Sequence, residues 1–239
     1  MPVVETLSGR ARELFAPLGP TYDRYARLLS FGQDPRWRRF LVTRIPAGPD
    51  DVVLDVATGT AAVALELVRQ KGCSVVGVDQ SPEMLAEARR RLRLAAETKR
   101  VRLVEAPAQE LPFEDGSFDG LTGAYLLRYL DDLPAGLAEL ARVLRPGATA
   151  ALLDFGVPTG PLFRAAWNLY VAAGLPVLGR AISPGWHEVG RFLGGSIREF
   201  DAQWPLPRLL AAFREAGFED VAARRLSLGG CLVIWGRKQ

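Results

Sequence analysis

Two short segments hold the residues with the most specific chemistry. In Val53-Leu-Asp-Val-Ala-Thr-Gly-Thr-Ala-Ala, Asp55 is followed by Ala57, Thr58, Gly59, Thr60 and Ala61. Small side chains there let the backbone approach a ligand, and the helix that follows would offer free N–H groups to a negative group. A tight strand-to-helix turn with no ligand fits this segment equally well. The second segment, Ser74-Val-Val-Gly-Val-Asp, ends in Asp79, a carboxylate able to accept both hydroxyls of a ribose lying across the strand ends. Dinucleotide and nucleoside cofactors both use such an acid, so the first turn must separate them. A pyrophosphate-binding turn reads GxGxxG and gains nothing from a carboxylate beside its phosphates. Asp55 suits instead a cofactor with a cationic amino or sulfonium end and no phosphate.

The elements that must position these residues follow from hydropathy. Short apolar runs alternate with amphipathic stretches from Asp51 onward, the pattern of a parallel α/β sheet. Strands are predicted at Val52–Val56, Ser74–Val78, Val101–Val104, Phe118–Thr122 and Thr149–Asp154. Helices are predicted at Ala62–Gln70, Pro82–Ala96 and Pro134–Leu144, the last ended by Arg145-Pro-Gly. A further helix, Pro207–Ala216, precedes two strands, Asp220–Ser227 and Cys231–Gly236, whose Leu228-Gly-Gly connection predicts an antiparallel hairpin. The first 49 residues read as a helical cap, 50–155 as the cofactor-binding core, 156–200 as an apolar insertion on the substrate side, and 201–239 as the last helix and hairpin of one domain.

Composition narrows the chemistry. The chain has 239 residues, 49% hydrophobic and 24% charged, which excludes disorder, collagen and coiled coil for the whole. A net charge of +3 from 30 basic and 27 acidic residues does not point to nucleic acid. One histidine, His187, and two distant cysteines, Cys73 and Cys231, cannot assemble a His/Cys zinc cluster within one chain. The N-terminus lacks the apolar run of a secretory signal, which predicts a cytoplasmic location, and Pro161–Gly179 is too interrupted to span a bilayer. Residues 1–44 carry eight arginines against four acids, a basic face that a solvated amphipathic cap would also show.

Together these residues resemble the class I S-adenosylmethionine-dependent methyltransferases: Asp55, Ala57, Gly59 and Ala61 in the first motif, Asp79 ending the second strand, Leu111-Pro-Phe-Glu-Asp-Gly-Ser-Phe-Asp into the fourth, and Ala141-Arg-Val-Leu-Arg-Pro-Gly before the fifth. Within that group the chain is most similar to the ubiquinone/menaquinone biosynthesis C-methyltransferases, through Tyr22-Asp-Arg-Tyr, Leu28-Leu-Ser-Phe-Gly with Trp37-Arg-Arg, Leu127-Arg128, Leu175-Pro-Val-Leu-Gly-Arg and Ser196-Ile-Arg-Glu-Phe. The resemblance implies a Rossmann-like, seven-stranded sheet of order 3-2-1-4-5-7-6 and S-adenosyl-L-methionine as cofactor. It implies cofactor contacts at Asp55, Ala57, Thr58, Gly59, Thr60, Asp79, Gln80, Met84, Pro107, Ala108 and Ala124. Tyr125, Tyr129 and Trp167 are expected acceptor contacts; Tyr22 and Tyr25 are expected to close over the site, with ordinary cap packing equally consistent. Tyr129 stands where the family has asparagine, and Gly190 and Phe192 stand where it has tyrosines.

Methyl transfer from a sulfonium needs chiefly orientation and a dry pocket. For an aromatic carbon acceptor, Arg128 is the expected cation at the developing oxyanion; a guanidinium keeps its proton, so water or His187 is the expected base. The aromatic insertion suits a lid over a hydrophobic acceptor, and equally a packed excursion or a homodimer contact. With the basic cap it could rest on the inner face of an anionic membrane. C-methylation of a quinol such as demethylmenaquinol is the leading expectation. Methylation of another small molecule at C, O or N, a non-catalytic nucleotide-binding protein and an NAD-dependent oxidoreductase are the alternatives.

Overall fold

A computed structural model describes residues 6–239; the first five residues of the N-terminal stretch read for a signal lie outside it. The cap contains α1 (Leu7–Phe15), α2 (Tyr22–Leu29) and α3 (Asp34–Thr43). The alternating region then runs β1 (Val52–Val56), α4 (Ala62–Lys71), β2 (Ser74–Asp79), α5 (Pro82–Leu94), β3 (Val101–Glu105), β4 (Phe118–Ala124), α6 (Leu133–Arg142) and β5 (Leu144–Phe155). The insertion is helical: α7 (Pro161–Leu169), a π turn, α8 (Leu175–Ile182) and α9 (Pro184–Gln203). The chain closes with α10 (Leu206–Glu215), β6 (Phe218–Leu226) and β7 (Cys231–Lys238).

The seven strands form one sheet in the order 3-2-1-4-5-7-6, as the resemblance implied. β1 to β5 are parallel, and β7 runs antiparallel between β5 and β6. The strand order reverses between β1 and β4, the place in an open α/β sheet where loops at the strand ends diverge and leave a crevice. Helix starts are set by sequence: Ser81 caps α5 by accepting from the Met84 N–H, and Asp132 caps α6 by accepting from Ala135.

Apolar cores lie on both faces of the sheet. Leu54, Leu121, Leu137 and Phe213 pack on the side of α6 and α10, and Leu41, Val53, Leu67 and Ala88 on the side of α3, α4 and α5. A third cluster joins the cap to the insertion: Leu18, Val171, Leu175, Trp186, Val189 and Ile197. In α8 and α9, glycine permits the backbones to touch. A Cβ on Gly190 would stand 2.7 Å from the Leu175 carbonyl, so this position serves close helix packing and leaves no room for a larger side chain.

Among the expected boundaries that move, α6 ends at Arg142, two residues early, and Arg145-Pro-Gly beyond it lies inside β5, which begins at Leu144 paired with Phe118; a register irregularity between Phe118 and Gly120 absorbs the segment.

Candidate active site

The turn after β1 explains its own composition. Ala57, Gly59 and Ala61 all have positive φ, 55°, 54° and 63°, in a loop that lifts Thr58 and Thr60 between them. Gly59 takes this conformation freely, whereas Ala57 and Ala61 each carry the Cβ cost of the left-handed region, about 1–2 kcal/mol. The Thr58 N–H donates to the Val78 carbonyl at 2.9 Å, tying the loop to β2. Gly77 in β2 makes room for it, since a Cβ there would lie 2.9 Å from Thr58 Oγ1. Asp55 sits beneath the loop, 1% exposed, accepting from Thr58 Oγ1 at 2.6 Å and from Thr122 Oγ1 at 2.7 Å. Burial pushes its carboxyl up to about 6 against those two donors.

Asp79 ends β2 at the lip of the same crevice. The Gly59 N–H donates to its Oδ2 at 2.8 Å and the Ser81 N–H to its Oδ1 at 2.9 Å. These donors hold the carboxylate rigid and leave lone pairs for further donors. Burial raises its pKa, and the backbone N–H groups oppose that rise.

A cavity opens here. Ala57, Thr58, Gly59 and Thr60 form one wall, Asp79, Gln80 and Met84 another, and Ala108 and Ala124 the floor after β3 and β4. Two expected contacts are corrected. Asp55 does not reach the wall, because both its oxygens are turned inward onto threonine hydroxyls. Pro107 is exposed, and its neighbours Ala106 and Ala108 face the cavity in its place.

Sequence reasoning placed Tyr22 of the cap at the site but missed α1 and Arg38. Ser8, Arg12 and Phe15 of α1 and Arg38 of α3 line this cavity. Arg38 is 7% exposed and pairs through Nε with both carboxylate oxygens of Asp34 at 3.0 Å. Burial alone would lower its pKa; Asp34 and Tyr125 more than reverse this, so it stays cationic. The signal was the four-residue spacing of Asp34 and Arg38, which places them on one helix face. Asp23 of α2 accepts from Thr60 Oγ1 at 2.7 Å and pairs with Arg91, whose Nη1 also donates to the Thr60 carbonyl at 3.0 Å. The cap is thus latched to the cofactor-side loop.

A second, apolar cavity lies beside the first. Trp37, Phe155, Phe163, Trp167, Tyr170 and Trp186 are among its walls, and Ser227, Leu228 and Gly230 close it from the terminal hairpin. Phe15, Tyr22, Tyr125 and Arg128 line both cavities, so the two meet at these four side chains. Tyr129 faces the first cavity only, stacked on Phe192 with centroids 6.1 Å apart.

Arg128 is 3% exposed at that junction. It pairs with the equally buried Asp154, donates from Nη2 to Tyr129 Oη at 2.8 Å, and leaves its Nε without a partner among the described residues. Its guanidinium lies 4.4 Å from the Tyr129 ring centroid and 4.9 Å from that of Phe155. Burial works against its charge, but Asp154 and Tyr129 more than compensate and raise its pKa.

Two expected residues stand apart. His187 lines neither cavity; its Nδ1 lies 2.9 Å from the Pro176 carbonyl, a contact that fastens α9 to α8. With no place in either lining, it is withdrawn as the base. Tyr25 packs edge-on against Trp186 at 5.5 Å, outside both linings, so it supports the wall without forming it.

A sequence model of the ubiE/COQ5 methyltransferase family matches residues 4–238. The chain belongs to the ubiE/COQ5 methyltransferase family. It is 38% identical over 231 residues to the ubiquinone/menaquinone biosynthesis C-methyltransferase UbiE of Geobacter sp. strain M21, covering 96% of each chain. It is 42% identical over 206 residues to the demethylmenaquinone methyltransferase of Thermus thermophilus, covering 86% of this chain and 91% of the other. Solved structures share the fold at lower identity. A phosphoethanolamine N-methyltransferase of Haemonchus contortus, in complex with S-adenosylhomocysteine, superimposes with a TM-score of 0.62 at 18% identity, covering 84% of this chain and 52% of the other. The cyclase SpnF does so with 0.68 at 17%, covering 98% and 97%. The fold therefore hosts more than one reaction, and within it this ubiE/COQ5 member is a methyltransferase.

Proposed function

We propose that this enzyme transfers a methyl group from S-adenosyl-L-methionine to a ring carbon of a hydrophobic hydroquinone of the demethylmenaquinol type. The observation that carries the reading is the meeting, at Phe15, Tyr22, Tyr125 and Arg128, of the cavity that holds Asp79 and Arg38 with a more apolar one. A sulfonium methyl group held in the first would face a ring held in the second.

In this reading Asp79 accepts the ribose hydroxyls, and Ala106, Ala108 and Met84 pack around the adenine. The methionine end lies along Thr58, Gly59 and Ala124, with the Arg38 guanidinium as the cation for its carboxylate. When bound, the cofactor supplies an electrophilic methyl group; the chain orients it, excludes water and holds the acceptor. Arg128 offers its free Nε–H to the acceptor oxygen, where charge develops as the ring attacks.

A lipid-soluble acceptor needs an entrance from a bilayer. Phe31, Phe163 and Leu228 line the apolar cavity and are 72%, 46% and 69% exposed, and α7 has no buried residue. Arg24 and Arg27 on α2 and Arg36 on α3, which flank Phe31 in sequence, are exposed. We assign this rim to an anionic membrane surface, which apolar insertion and arginine contacts would hold together. No helix among the described residues is long and apolar enough to cross a membrane.

Tyr129 occupies one Arg128 donor that an acceptor oxygen could otherwise meet, which favours a second reading, methylation of another hydrophobic small molecule such as a phenol. A methyl-transfer assay against demethylmenaquinol and a panel of phenols decides between them. Activity on the quinol, lost by at least 100-fold in Arg128→Ala, supports the main reading; activity on phenols alone selects the second. Calorimetric binding of NADH but not S-adenosyl-L-methionine would overturn both. Sedimentation with vesicles containing anionic lipid, weakened in Phe31→Ser, tests the rim.

A further inference from the structure

With His187 withdrawn and both guanidiniums holding their protons, the acceptor hydroxyl still needs a group to take its proton. Tyr125 is placed for this. It stands at the junction of the two cavities, and its phenol donates to Asp34 Oδ1 at 2.7 Å. The ring is fixed by stacking on Phe155, centroids 4.7 Å apart, and by a backbone N–H donated to the Leu153 carbonyl at 2.6 Å. Its φ is 61°, a conformation costly for a bulky residue and one that clusters at functional sites. Asp34 is 4% exposed, and among the described residues its ion-pair partner is Arg38, which also lies 5.6 Å from the Tyr125 centroid.

We propose that Tyr125 is a catalytic residue that receives the acceptor's hydroxyl proton while passing its own to Asp34, which acts as a positioning residue and proton store. This rests on the reading of the acceptor as a hydroquinone or phenol. The acceptor O–H bond breaks, its proton joins Tyr125 Oη, and the phenolic proton of Tyr125 joins Asp34 Oδ1. Negative charge thereby moves from Asp34 to the acceptor oxygen. The ring carbon then bonds to the methyl group as the methyl–sulfur bond breaks, the sulfur keeping the electron pair. The methylated carbon loses its proton to solvent, and Asp34 returns its proton through Tyr125 to the acceptor oxygen. One acceptor and one sulfonium yield one methylated acceptor, one thioether and one proton.

The surroundings suit a concerted transfer. Burial raises the Tyr125 pKa and Asp34 raises it further, so free tyrosinate is disfavoured and the proton passes only as another arrives. The titratable groups facing the pair are Arg38 on α3 with Asp34, Tyr22 and Asp23 on α2, Arg128 after β4 with its guanidinium 5.8 Å from the Tyr125 centroid and itself paired with Asp154 on β5, and Cys231 on β7. The two arginines remain charged throughout and stabilise the new oxyanion.

The test is the pH profile of kcat from about pH 6 to 10 for wild type, Tyr125→Phe and Asp34→Asn, with demethylmenaquinol, phenols and ring-fluorinated analogues whose hydroxyls are more acidic. Positioned acid–base groups contribute about 10²- to 10⁴-fold. Tyr125→Phe is expected to lose about 100-fold in kcat at neutral pH, to regain about tenfold per pH unit towards the acceptor's own pKa, and to be largely rescued by the fluorinated acceptor. Asp34→Asn, which can accept the hydrogen bond but not the proton, is expected to show the same slope. Wild-type profiles in both variants, or equal losses with every acceptor and no slope, would overturn the relay. A wild type that binds S-adenosyl-L-methionine but methylates no quinol or phenol would refute the functional reading, and the relay with it.

Discussion

Asp23 and Thr60 are joined by a 2.7 Å hydrogen bond across 37 residues of sequence, and Arg91 binds both. The cap therefore grips the loop on the cofactor side. The latch is partly exposed, so its worth is on the order of 1 kcal/mol. Asp23→Ala should weaken S-adenosyl-L-methionine binding about 3- to 10-fold in calorimetry, with a smaller effect on kcat at saturating cofactor. Unchanged affinity would show that the latch is incidental to cofactor binding.

Arg38 faces the cofactor cavity as a buried cation. Wild type should bind S-adenosyl-L-methionine at least 10-fold more tightly than its decarboxylated analogue. Arg38→Met should erase that preference, since only a carboxylate distinguishes the two ligands. Comparing them within each variant cancels the cost of leaving Asp34 unpaired. If the preference persists in the variant, some other group binds the carboxylate.

Asp55 carries a stability cost at neutral pH. Its carboxyl is raised from 3.8 to about 6 in the folded chain, so the unfolded chain loses the proton first as pH rises. The associated stability is present below about pH 4 and is lost by about pH 7, a contribution of at most about 3 kcal/mol. Without ligand, wild type should gain stability relative to Asp55→Asn as pH is lowered from 7.5 to 5.5, measured by chemical denaturation. Parallel curves for the two proteins would contradict the assignment.

Gly194 lies where α9 crosses the turn before α8, and a Cβ there would stand 2.6 Å from the Val171 carbonyl. Gly194→Ala should destabilise by about 1–3 kcal/mol, the usual cost of overpacking. Because Val171 belongs to the cluster joining the cap and insertion, KM for the apolar acceptor should rise while cofactor affinity stays within twofold. A change in cofactor affinity alone would place the strain elsewhere.

The parallel sheet was legible because strands buried on both faces are written as continuous apolar runs, and Asp79 was legible because it ends one of them. The insertion was not. Gly179, Gly190 and Gly194 look like breaks in helical periodicity, but their missing side chains permit backbone contact between helices. Arg38 was read with the other cap arginines as part of a solvated face, since charge composition does not reveal burial. His187 drew attention by its rarity, which says nothing about distance from the junction. Asp55 was found by its motif, but its inward orientation depends on Thr122, 67 residues away.

The terminal hairpin gives the two cavities different histories. Every residue on the cofactor cavity's wall lies between Ser8 and Tyr129, whereas the apolar cavity also needs Ser227, Leu228 and Gly230. Trp37 donates to Ser227 Oγ at 2.8 Å across 190 residues, and β7 enters the sheet between two strands that precede it. On the ribosome, the nucleoside side has all its residues about halfway through synthesis, and the acceptor chamber must wait for the last dozen. The enclosure of the acceptor chamber is thus completed last, by residues of the terminal hairpin.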